Sequence, residues 1–216
     1  SGTFGGLITG CFRDIKKVFS VGMASTGGGG GSNFGYWSID MSAGYASHSV
    51  GAWTVPTGSN AGTDFAIGEY TCGAWTDGHP DGLHLVITPD ANFNDCLLVT
   101  DVDAGTIARV DLGSLGLSIP VGSDYIGMSY DATNNRVLIL LKDGAHALTY
   151  YSIGLPANPM AATGYTVALR SVTPVTSGMP VDQLAGFYGK TRIHPDLGCI
   201  LVPSQAGRMM GFVPSV

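Results

Sequence analysis

Charge is what this chain has least of. Asp, Glu, Lys and Arg make up 12% of its 216 residues, about half the usual share. Glu69 is the single glutamate, so a glycosidase pair built on two glutamates is excluded within the chain, although an Asp pair is not. Ten bases stand against sixteen acids, for a formal charge of −6, and the longest basic run is Lys16-Lys17. A basic face for nucleic acid is therefore not expected. Long apolar runs are also missing: no stretch approaches the ~18 uninterrupted residues of a membrane-spanning helix, so membrane insertion is not expected. Ser1-Gly-Thr-Phe4 has neither the charged start nor the apolar middle of a signal peptide. A first residue of Ser is what processing, a longer parent or loss of an initiator Met would each leave. The expected protein is soluble, with no address legible in it, and a virion or extracellular setting fits its composition.

Helical periodicity is absent as well. No window sustains apolar residues at i, i+3, i+4 and i+7, and Pro or Gly recurs every few residues, each costing about 3 or 1 kcal/mol inside a helix. Cysteines number four, at positions 11, 72, 96 and 199. They fit no CxxC or Cys/His metal spacing, so zinc is not expected. Cys96 and Cys199 each open an aliphatic run, the place of a small buried hydrophobe.

What the chain does contain is glycine, 33 residues of it, with 44% apolar content that argues against disorder. It also contains a phrase repeated four times: a short apolar strand, a turn built on Asp or Asn, then an almost continuously aliphatic strand. The copies are Leu7 to Asp14 with Lys17 to Val21, Leu83 to Asp90 with Asp95 to Val99, Ile126 to Asp131 with Arg136 to Leu141, and Lys190 to Asp196 with Gly198 to Val202. Third strands follow near 34–40, 106–111, 147–153 and 209–213, and candidate outer strands near 50–55, 115–119 and 165–172. The last copy stops after its third strand, which leaves an edge for something else to cover. The aliphatic strands start near Val18, Cys96, Val137 and Cys199, at uneven steps of 78, 41 and 62 residues. A hairpin cannot bury both faces alone, so the repetition predicts stacked or radially arranged sheets. The pentaglycine from Gly27 to Gly31 has no following Lys-Ser/Thr helix and reads as a flexible connection rather than a phosphate cradle.

Trp75-Thr-Asp-Gly-His-Pro-Asp-Gly-Leu-His84 is similar to the Asp-Gly-x-Pro…His segment that leads into an inner strand of kelch and galactose-oxidase-type propellers. Tyr130-Asp-Ala-Thr-Asn-Asn-Arg-Val-Leu138 and His194-Pro-Asp-Leu-Gly-Cys-Ile-Leu-Val202 resemble the tight turn between the first two strands of a blade there. The Gly-Gly doublet that ends a kelch second strand is missing from the last three copies. The resemblance implies an all-β, β-propeller-like array of three- to four-stranded antiparallel blades. Kelch-type propellers close with six or seven blades, whereas about four are counted here, so the expectation is a compact four-bladed ring or part of a propeller that another segment or chain completes. Residues 1–216 would form one domain, with blades at approximately 4–56, 66–119, 124–173 and 184–216. That is about 50 residues per blade, against the roughly 40 to 50 of propeller repeats.

The chemistry-bearing residues form few constellations. Asp90, Asn92, Asn94 and Asp101 occupy calcium-loop positions 1, 3, 5 and 12, but Asp95 stands where the sharp turn wants Gly. Asp recurs at the same turn as Asp14, Asp90, Asp131 and Asp196, which favours turn chemistry, since Asp bonds nearby backbone N–H groups. Asp101-Val-Asp-Ala-Gly105 reads as a hairpin turn for the same reason. A galactose-oxidase-like copper centre needs two His and two Tyr converging. His79, His84, His146, His194, Tyr130 and Tyr188 are available, with His48 elsewhere, but no segment matches that family's ligand motifs. No Gly-x-Ser-x-Gly marks a serine nucleophile. Tyr36, Trp37, Trp53 and Trp75 are candidates for a binding surface, with core packing as the alternative. The expectation is a non-catalytic structural or interaction module without cofactor or resident metal. It would work with a protein partner or by self-assembly, in a larger assembly such as a virus (phage) particle, and a glycan could be its receptor. The competing reading is a secreted carbohydrate-active propeller, either a copper-radical oxidase-like enzyme or a lectin.

Overall fold

A strand with one wet face should alternate apolar and polar residues, yet Cys96 to Val99 in the strand Asp95–Asp101 and Val137 to Leu140 in the strand Arg136–Lys142 are apolar without a break. The computed structural model accounts for this by burying both of their faces. It describes residues 9–14, 17–25, 32–40, 49–50, 57–58, 72–76, 82–89, 95–101, 104–117, 124–142, 148–170, 172–174, 192–194, 199–203 and 209–214. Side chains are described at 57, 76, 82–87, 96–101, 104–117, 127–140 and 150–170. Among the described residues the protein is all-β, with two single-turn 3-10 segments at Gly113–Leu115 and Pro159–Ala161. No helix among them is long and apolar enough to cross a membrane.

The strands form four sheets. The first joins β1 (Thr9–Asp14), β2 (Lys17–Ser25), β3 (Ser32–Asp40) and β4 (Ser49–Val50) in chain order. In the second, β5 (Thr57–Gly58) lies outermost on β9 (Thr106–Asp111), followed inward by β8 (Asp95–Asp101), β7 (Leu83–Pro89) and β6 (Cys72–Trp75). The third contains β10 (Asp124–Asp131), β11 (Arg136–Lys142), β12 (Leu148–Gly154) and β13 (Thr166–Arg170) in order. The fourth runs β14 (Val172–Pro174), β17 (Met209–Pro214), β16 (Cys199–Pro203) and β15 (Arg192–His194). All neighbouring pairs are antiparallel except β5 with β9. Each of the four repeated phrases closes as a hairpin: β1–β2, β7–β8, β10–β11 and β15–β16.

Three expectations about the outer and inner strands change. Residues 115–117 of the expected outer strand of the second sheet are not strand, and 118–119 lie outside the described residues. Leu115 instead ends a 3-10 turn, because the Asp111 carboxylate accepts the N–H groups of Gly113 and Ser114 at 3.0 and 3.3 Å and curls the chain there. Gly116 follows at φ 85°, a left-handed conformation that suits glycine. The outer place is taken by β5. The fourth sheet is not left open after its third strand, since β14 pairs along β17 from Val172 opposite Pro214 to Pro174 opposite Phe212. β7, the first strand of the repeated phrase, is not the edge of the second sheet, since β6 pairs beyond it with Trp75 opposite His84.

These outer strands also account for the uneven repeat. β13 and β14 are separated by Ser171 alone but belong to successive sheets. β4 and β5 likewise sit on the outer strands of successive sheets. The chain thus passes from first to second sheet, and from third to fourth, along the outer strands. Those are the two long steps of the repeat, whereas the short step joins β9 to β10 through residues 112–123.

The best-described core lies between the second and third sheets. Leu85 and Ile87 of β7, Leu97 and Val99 of β8, and Met128 and Ile139 of the third sheet are all fully buried in it. Side chains of this size contribute about 1.5–3 kcal/mol each on burial. Residues 155–165, which connect β12 to β13, close over this core rather than forming a free loop: Leu155 and Tyr165 are buried in it and the Tyr165 hydroxyl donates to the Pro159 carbonyl at 2.8 Å. Burial of that phenol raises its pKa above the ordinary value. The other faces of the same strands are buried too, with Val86, Leu98, Leu138 and Leu140 at 2% exposure or less. Continuous aliphatic sequence is the consequence of that two-sided burial.

Candidate functional site

The densest group of polar side chains among the described residues is on the third sheet. Strand pairing sets Ser129 opposite Leu138 and Leu138 opposite Ser152, while Asp131 faces Arg136 and Leu140 faces Tyr150. Because side chains alternate across a sheet, these residues share one face, and Met128, Val137, Ile139 and Ile153 share the other. The apolar face belongs to the core. On the polar face Ser129, Asp131, Arg136 and Ser152 are all buried.

The turn after β10 organises one end of that face. The Asp131 carboxylate accepts the Arg136 Nε–H at 2.8 Å, the Asn134 side-chain amide at 2.8 Å and the Asn134 backbone N–H at 3.4 Å. Burial alone would raise the Asp131 pKa, but these hydrogen bonds and the positive charge of Arg136 outweigh it and hold the carboxyl below the usual range. Burial raises the Tyr150 phenol; the nearby Arg136 charge opposes the rise and the Asp131 charge adds to it. The other end of the face is tied by Arg170, whose Nε–H donates to Ser152 Oγ at 2.8 Å. The Asp131 carboxylate is thus engaged with Arg136, and the Ser152 hydroxyl with Arg170. Asp131→Ala is expected to cost about 2–4 kcal/mol, since it leaves the buried Arg136 guanidinium uncompensated. The double replacement Asp131→Leu with Arg136→Met should recover most of that loss, as read by urea denaturation. If the double variant is as unstable as the single one, the pair does not act as a unit.

Asn135 is the residue that reading the sequence missed. It has φ 45°, a left-handed conformation in which Asn is among the tolerated residues. Its side chain accepts from the Tyr130 hydroxyl at 2.9 Å and donates to the Leu155 carbonyl at 3.0 Å, while its own carbonyl accepts the Leu155 N–H at 3.0 Å. One residue therefore joins the first strand, the turn and the segment leaving the third strand. The signal for it was the Asn134-Asn135 pair closing an Asp turn, and its long-range partner 20 residues away was not readable. Asn135→Ala is expected to cost about 2–3 kcal/mol, combining left-handed strain with lost hydrogen bonds. Asn135→Gly should cost about 1 kcal/mol less, because only the hydrogen bonds go. Equal losses would place the role of Asn135 in its side chain alone.

Of the calcium-loop candidates, Asp90, Asn92 and Asn94 lie outside the described residues. Asp101 forms a turn: its carboxylate accepts the Ala104 N–H at 2.9 Å, with Gly105 at φ 66°. Of the recurring turn aspartates, Asp131 bonds the chain three residues on, while Asp90 and Asp196 lie outside the described residues. Among the described residues no three His, Cys, Asp or Glu side chains gather as a metal site would require. Of the copper candidates, His84 and Tyr130 are on different sheets. His194 falls on β15, and His79, His146 and Tyr188 lie outside the described residues, as does His48. Cys96 is fully buried.

His84 is buried at 1% exposure in the face of the second sheet turned away from the core described above, with Thr100 opposite it on β8. Burial pushes its pKa down to about 3, so the imidazole is neutral at pH 7 and a poor proton donor there. Tyr36 and Trp37 are consecutive positions of β3, opposite Val21 and Ser20, and consecutive strand positions fall on opposite faces of a sheet. Trp75 ends β6, and Trp53 lies outside the described residues. Compared with known proteins, the chain matches no family model and no curated protein.

Proposed function

We propose that the chain is a β-propeller-like module of four sheets that performs no chemistry of its own and serves recognition or assembly within a larger particle, such as a virus. The proposal rests chiefly on how the described polar side chains are used. Asp101, Asp111 and Asp131 bond the backbone of their own turns, and Asp131 also holds Arg136. Such groups stiffen a scaffold and leave little to act on a substrate. The radial arrangement draws support from the inner strands, which neighbour one another in chain order: β1 lies against β6, β6 against β10, and β10 against β15. Two-sided burial of β7, β8 and β11 fits sheets packed between sheets on either side. Propeller folds present loops of varied length on a rigid core, which suits recognition.

Elemental analysis of the purified protein, run beside an oxidase and glycosidase substrate panel and a glycan-binding array, tests this reading. The expected result is no stoichiometric copper and no turnover, from a particle with a radius of gyration of about 17 Å. Glycan binding without turnover would identify the receptor class. Stoichiometric copper with oxidation of a sugar alcohol would overturn the proposal in favour of a carbohydrate-active enzyme.

A further inference from the structure

We draw no further inference here: the strongest candidate, the outer strand β13 with Leu169 at 68% exposure on it, carries nothing because nothing in the structure shows what covers that edge.

Discussion

Between pH 7 and pH 5 the protein is expected to lose about 2 kcal/mol of folding stability, and about 3 kcal/mol by pH 4, through His84 alone. The imidazole is fully buried and its pKa is lowered by desolvation from 6.5 to about 3. In the unfolded chain it takes up a proton as the pH falls below about 6.5, while in the folded protein it stays neutral until about pH 3. The unfolded state therefore binds more protons throughout that window, and stability falls as the pH falls. The Asp131 carboxyl acts in the same direction but lower down, because its hydrogen bonds to Asn134 and Arg136 and the Arg136 charge hold its folded pKa below the ordinary aspartate value. The contribution of its ion pair is present above that value and lost as the pH drops through the folded pKa. Urea denaturation at pH 7, 6, 5 and 4 separates the two. His84→Leu should flatten the curve between pH 7 and 4, whatever the variant's absolute stability. A wild-type curve already flat over that range, or a variant that keeps the slope, would show that His84 is reached by water.

Ile139→Ala and Leu138→Ala are each expected to cost about 2–4 kcal/mol, which for a chain of this length lowers the melting temperature by roughly 5–15 °C. The two residues are neighbours on β11 and point to opposite faces. Ile139 at 0% exposure belongs to the core between the second and third sheets, and Leu138 at 2% exposure sits on the polar face between Ser129 and Ser152. β11 is held by ladders on both sides, to β10 and to β12, so the sheet cannot close around a lost methyl group and a cavity remains. Leu169→Ala on β13, at 68% exposure, should change stability by less than about 0.5 kcal/mol. The informative comparison is between the two buried sites. If Leu138→Ala behaves like Leu169→Ala, the polar face of the third sheet is solvated, and packing of that sheet between two others is wrong.

The four hairpins were legible from sequence because each joins residues within one phrase of about fifteen positions. Their turns need particular residues: Asp131 bonds the turn that follows it, and Asn135 tolerates a left-handed backbone. Continuous aliphatic runs such as Val137 to Leu140 also announced burial on both faces. The outer strands were less legible. β5 and β14 are two and three residues long, contain Gly or Pro, and pair far along the chain, Thr57 with Thr106 and Val172 with Pro214. No local pattern marks a strand whose hydrogen-bonding partner is chosen by how the sheets stack.

Composition and local pattern by themselves determined that this protein is all-β, hairpin-built and poor in the charges that nucleic-acid binding would use, since backbone propensity, turn chemistry and net charge are properties of short segments. Tertiary structure alone decided which face of the third sheet is apolar and which is polar, that Asn135 reaches Leu155, that β14 closes the edge of β17, and that His84 is held neutral. Each of these depends on what lies across space from a residue, and burial and pairing across space are set only when the whole chain has folded.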